Sequence, residues 1–260
     1  MSKYLRVWII LCSSSFQSFF VSRVGSVLFL AGKILRFLFF LVFMILLVSK
    51  TKALTGYNIW ESLLFYLTFN LIDTITQMLF REVYRFRQQI ISGGFDLILV
   101  KPVNVLFRTL FGWTDLLDSI NILPLIVIII YIATKLNSLN FKSIILYFLL
   151  VLNSLLIAMS FHIIVLALGI LTTEIDHAIM IYRDVTSMGR FPIDIYTEPL
   201  RSFITFVIPV GVLMSVPTKA LIGVLSVSII LVSFSIGFII FSSSILLWRY
   251  SLKKYTSASS

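Results

Sequence analysis

Few side chains in this sequence could do chemistry, and most of them interrupt apolar stretches. Tyr66, Asn70, Asp73, Thr74, Gln77 and Arg81 recur at i, i+4, i+7, i+8, i+11 and i+15. That spacing keeps all six on one face of a helix. An aspartate at a bilayer centre costs about 2.5–3.5 kcal/mol on insertion scales, so such a face turns to protein or water. It reads either as the wall of a transport path or as helix packing, with hydrogen bonds worth about 0.6 kcal/mol each. Ser154, Ala158 and His162 form a second line at i, i+4, i+8. Small residues let helices approach closely, and the histidine is either a proton relay or simply hydrogen-bonded. Asp176 and Arg183 lie seven apart and share a face, which suits buried polar contacts with neighbouring helices.

A third group lies between apolar stretches. Glu82 and Arg85 can pair at i, i+3 on a continuation of the preceding helix, beside Arg81 and Arg87. Gly93 and Gly94 then break the helix, with Gly94 expected at positive φ. Asp96 is placed to cap a short helix through Leu97–Val100, which Pro102 stops. A short capped helix suits docking on a soluble partner. The other reading is a basic turn resting on anionic headgroups.

The exclusions are firmer. No G-x-x-x-x-G-K-S/T loop occurs, so the chain lacks the usual cradle for nucleotide phosphates. One cysteine, Cys12, and two histidines, His162 and His177, supply no cysteine-based metal site and no usual catalytic metal cluster. No nucleophile–base pair is evident. Of the 260 residues 59% are hydrophobic and 12% charged, and the mean hydropathy is +1.06. A soluble domain carries about twice that charge, so a soluble enzyme and a disordered tail are both excluded. The net charge of +10 comes as small groups between apolar runs rather than one aromatic-laced patch, which argues against nucleic acid.

What must position these residues is a bundle of membrane helices. A span needs about 20 apolar residues, and the runs here are too long for barrel strands. Residues 143–173 and 220–248 carry no charge, and 25–48, 57–80 and 116–134 carry few. Residues 1–24 differ. Leu5, Trp8, Ile9, Cys12, Phe16, Phe19 and Phe20 face one way and Arg6, Ser13, Ser14 and Gln17 the other. That pattern predicts a retained amphipathic helix in the membrane interface rather than a signal peptide.

Parity then demands a crossing within 173–219, because otherwise Arg249, Lys253 and Lys254 would face outward. The expected form is a shielded fifth span over 174–190 and a Pro-containing re-entrant segment over 192–218. The expectation is an all-α protein with six transmembrane helices, residues 25–260 forming one transmembrane domain with both termini cytoplasmic. Thirteen of the 21 Lys and Arg then fall on the cytoplasmic side, Lys33 and Arg36 among them, and seven fall outside.

Two stretches carry a family likeness. Arg87–Phe107, RQQIISGGFDLILVKPVNVLF, resembles the ABC-2 exporter-permease pattern of helix, glycine, then D…L-x-K/R-P-v, matched by Gly94, Asp96, Leu99, Lys101 and Pro102. Gly189–Pro217 is similar to the family's proline-containing segment before the last span, but departs from it at Tyr196–Glu198, where a proline commonly follows the aromatic residue. The resemblance implies a non-catalytic exporter permease subunit in the cytoplasmic membrane, and apolar spans with few fixed charges fit an amphiphilic substrate. It implies a separate ABC ATP-binding subunit holding ATP and Mg²⁺, and a second permease copy or paralogue. Segment 81–108 would then be the ATPase-coupling loop, with Glu82, Arg85, Gly93, Gly94, Asp96, Leu99, Lys101 and Pro102 as its residues. The competing reading is an ion-coupled carrier using Asp73 and His162, which the lack of an internal repeat weakens.

Overall fold

The computed structural model describes residues 3–21, 23–51, 55–136, 139–172 and 175–257, and the side chains of 18–23 lie outside it. Phe19, Phe20 and Arg23 therefore have no described side chains, and Lys52 lies outside the described residues. All elements among the described residues are helical. In chain order they are α1 Lys3–Val21, α2 Arg23–Thr51, α3 Ile59–Leu79, a 3₁₀ turn Arg81–Arg85, α4 Phe86–Ile91, α5 Gly94–Leu99, α6 Val105–Phe111, α7 Leu116–Ala133, α8 Phe141–Thr172 and α9 Ile175–Ser187. Then follow α10 Leu200–Val207, α11 Gly211–Ile222 and α12 Val227–Lys254. The chain is an all-α polytopic membrane protein. Helices α2, α7, α8 and α12 are long and apolar enough to cross a bilayer, and two bent pairs bring the total to as many as six.

Local chemistry sets the helix ends. Asn58 starts α3 with a reciprocal capping box: its side chain accepts from the Glu61 N–H, and the Glu61 carboxylate accepts from the Asn58 N–H. Asp115 caps α7 by accepting from the Leu117 N–H. Gly223, at φ +84°, closes α11 in the left-handed conformation that glycine adopts without strain.

The centre of the bundle is α8, flanked by α3, α11 and α12. Asn153 on α8 donates to the Ser233 carbonyl of α12 at 3.0 Å. One turn along, a Cβ on Gly237 would lie 2.1 Å from Asn153 Oδ1, so the two helices meet this closely only over a glycine. Ser154 and Ala158 are fully buried, and Ala158 packs with Val210, Leu213 and Met214 of the α10–α11 region. Helix α2 stands apart, with most of its apolar face open, Phe39 being 73% exposed. On α1, Cys12 and Ser15 turn inward and Cys12 donates to Thr114 Oγ1 at 3.3 Å, while Leu5, Ile9 and Phe16 stay exposed.

Several expectations change. Segment 81–91 does not continue α3 but leaves it at 58°. Phe80 quits the helix, and the orphaned Met78 carbonyl accepts from the Asp115 N–H at 3.1 Å, so the α6–α7 connection holds the bend. Positive φ belongs to Gly93 (+72°), not Gly94. The start of α5 is capped by that glycine, which leaves Asp96 inside the first turn rather than at the N-cap. Lys33 and Arg36 lie inside α2 rather than in an end segment. Helix α9 has 13 residues, too few to cross alone. It nevertheless starts beside α4, through the 2.9 Å Arg87–Asp176 ion pair, and leads to Asp194 at the other end of the bundle. Helices α10 and α11 meet at 77°.

Candidate functional site: a charged cavity and a clamped loop

Helices α2, α3, α7 and α9 enclose a cavity of about 750 Å³. From the polar stripe of α3, Asn70, Asp73, Thr74, Gln77 and Arg81 line it. Tyr66 does not. Its hydroxyl donates to the Phe37 carbonyl at 3.0 Å and its ring stacks on Phe37 and Phe40, so this residue packs α3 on α2. Lower on the stripe, Arg81 bonds Gln77, and Gln77 donates to Tyr84 Oη at 2.9 Å. The stripe therefore divides between Tyr66 and Asn70: packing above, cavity wall below.

The opposite walls bring charges from elsewhere in the sequence. Lys33 of α2 pairs with Asp118 of α7, and Arg36, Arg183 and Arg190 also line the space. Asp73 interacts electrostatically with all three arginines. Lys33 and Arg36 interrupt an apolar run at i, i+3, a signal present in the sequence. Arg190 and Asp118 gave no such signal. Arg183 opens on the cavity, and Asp176 pairs with Arg87 of α4 at 2.9 Å. The short, polar α9 runs along the cavity rim, leaving these side chains open. His162 does not line this cavity. Its Nδ1 bonds the Ala158 carbonyl at 2.8 Å, and rings of Phe80, Tyr84 and Tyr182 surround it.

The second site lies where the start of α1 and the segment after α12 meet. Helices α4 and α5 form a short elbow around Gly93 that exposes Ile91 (62%), Leu97 (64%) and Val100 (80%), next to exposed Leu99, Lys101 and Pro102. Beneath it Phe95 is fully buried, edge-on to Phe86 and Tyr255. The Asp96 carboxylate accepts from Tyr255 Oη at 2.9 Å and Ser257 Oγ at 2.7 Å. Burial, then the hydrogen bond and charge of Asp96, push the Tyr255 phenol up to about 12, so it remains a donor at neutral pH. From the start of α1 Lys3 Nζ reaches the Pro102 carbonyl at 2.6 Å. Glu82 is only 2% exposed and pairs with Arg108 at 3.0 Å, with Gln89, and with Arg85 at 3.9 Å. It positions the elbow from inside. Arg85 stacks on Trp113.

At the opposite end Asp194 ties three segments. It accepts from Tyr57 Oη at 2.9 Å and pairs with Lys219 at 2.7 Å and with Arg201. Burial alone would raise its carboxyl, but the hydrogen bond and charge of Lys219, then Tyr57 and Arg201, hold it below 3.8. The sign follows. A depressed folded pKa gives stability that is whole above the unfolded value and lost as pH falls through the folded one. Asp194→Asn should therefore cost on the order of 2 kcal/mol at pH 7. In thermal unfolding of detergent-purified protein, the gap from wild type should narrow from about pH 4 downward. A gap that widened in acid would refute the clasp.

Among the described residues no group of His, Cys, Asp and Glu could hold a metal ion. No curated protein and no solved structure matches the chain. The family described as ABC-2 family transporter protein matches residues 34–259, and the chain therefore belongs to it, as a multi-pass permease subunit of an ABC transporter, a system that includes an ABC ATP-binding partner.

Proposed function

We propose that this permease works as an exporter. It moves an amphiphilic substrate across the cytoplasmic membrane, is driven by a separate ATP-binding polypeptide that holds ATP and Mg²⁺, and pairs with a second permease copy or paralogue. The observation that carries this is the elbow around Gly93, an exposed apolar tip whose base is fastened by the start of α1 and the segment after α12. Exposed apolar groups on a rigid base suit a docking face. Leu97→Glu combined with Val100→Glu should abolish co-purification of the ATP-binding subunit while the permease remains monodisperse. The chain alone should not hydrolyse ATP. Saturable hydrolysis by the purified chain would sink the assignment.

The same reading gives six crossings. Arg201 at the start of α10 and Lys219 near the end of α11 both bind Asp194. That supports a pair that enters and returns on one side, with the crossing made between Asp176 and Asp194. In a Cys12→Ser background, cysteines at Gln89 and Lys254 should label only from the cytoplasm. Those at Leu139 and Glu198 should label only from outside. Outward labelling at Lys254 would overturn the topology.

A further inference from the structure

The geometry points to the cavity between α2, α3, α7 and α9 as a binding site for an amphiphile with an anionic head group. This inference rests on the permease reading and names its substrate class. The charge balance of the walls comes first. Five cations line the space against two carboxylates, Asp73 and Asp118. Lys33 is neutralised by Asp118, and Arg81 leans towards Asp115 at 3.8 Å. Arg36, Arg183 and Arg190 remain, facing Asp73 alone among the lining carboxylates. Among the described residues none of the three has a carboxylate within ion-pair distance, and Arg190 rests on the rings of Phe40 and Phe69.

Position makes that excess significant. Arg36 sits near the middle of α2, between the exposed apolar side chains of Leu35 and Phe39. A guanidinium at that depth is stable only where water or an anion meets it, and it faces the cavity. Guanidinium groups bind phosphate and carboxylate oxygens through planar paired hydrogen bonds, which a quaternary ammonium cannot accept.

The same cavity is apolar on one side. Leu28, Phe29, Ile34 and Leu38 of α2 contribute to its wall and are themselves exposed to the surroundings of the bundle. These side chains offer a hydrocarbon tail an apolar wall beside the arginines. The volume of about 750 Å³ matches a head group with part of a chain, within the usual 300–1,000 Å³ of ligand pockets.

The test uses the purified permease in an uncharged detergent at about 0.15 M salt, where surface charge is screened beyond about 8 Å. The probes are fluorescent phosphatidic acid, diacylglycerol with the same labelled chains, and inorganic phosphate as competitor. Phosphatidic acid should bind saturably and at least tenfold more tightly than diacylglycerol. Arg36→Gln and Arg183→Gln should each remove most of that preference, Arg36→Lys should restore part of it, and Lys142→Gln should leave it intact. Equal binding of the two lipids, or a preference unchanged in both glutamine variants, would overturn the site. Inorganic phosphate competing as well as the lipid would overturn the amphiphile and leave a plain anion site. If the variants altered only oligomeric size, with lipid preference kept, the arginines would belong to a contact between copies and the proposal would fall. None of these outcomes touches ATPase docking, so the permease assignment stands or falls separately.

Discussion

Gly93→Val should uncouple the transporter. The native φ of +72° lies where a β-branched residue is a strong outlier, at a cost of about 1–3 kcal/mol. The elbow can relieve that strain only by loosening its clamps at Asp96 and Pro102, so α5 should shift and carry Leu97 and Val100 away from their docking positions. Substrate-stimulated ATP hydrolysis and transport in reconstituted liposomes should fall together by at least tenfold, while membrane insertion survives. Gly94→Ala is the internal control. A Cβ there would meet Ser92 Oγ at 3.5 Å and the Gln89 carbonyl at 3.6 Å, which is ordinary contact. Asp96→Ala should give an intermediate loss by releasing Tyr255 and Ser257. Normal coupling in Gly93→Val would reduce the segment to a basic turn, and the docking role would be dropped.

The largest loss of stability should come from Glu82→Ala. The carboxylate is buried and Arg108 is about three-quarters covered, so removing Glu82 forfeits charge-assisted hydrogen bonds and leaves Arg108 partly desolvated without a partner, at a cost of about 1.5–3 kcal/mol. Arg108 also packs closely over Gly112: a Cβ there would lie 1.5 Å from its Nη1. Thermal unfolding of the purified chain should shift downward by several degrees at least. Gly112→Ala should act in the same direction by displacing Arg108. The double change Glu82→Leu with Arg108→Met should recover most of the loss, because two apolar groups need no mutual charge. If the double variant were as unstable as the sum of the singles, the ion pair would not be the cause. Since Glu82 is unreachable for a partner, its effect on coupling should track stability rather than docking.

The bend at Phe80 shows where reading along the chain stops. Nothing between Leu79 and Arg81 is a glycine or proline, so the sequence reads as one helix. At the bend it is Asp115, far along the chain, whose N–H satisfies the Met78 carbonyl. Gly93 shows the converse. A glycine pair announces a break, but only the packed elbow decides which of the two adopts positive φ. On α3 the period of the stripe gave a shared face, and the position of α2 divided that face between packing and cavity.

Hydropathy along the chain is enough to establish a helical multi-pass membrane protein, because burying apolar side chains in a bilayer is a local requirement that each stretch meets or fails alone. The family likeness was also legible, in the local spacing of Gly94, Asp96, Leu99, Lys101 and Pro102, and the family match runs over residues 34–259. The tertiary structure alone decided which charges meet. Asp96 finds Tyr255 159 positions away, Asp194 finds Tyr57 137 away, and Asp118 finds Lys33 85 away. Hydropathy depends on composition within about 20 residues, whereas an ion pair depends on where whole helices stand. The charge of the cavity is therefore a property of the bundle that no single segment carries.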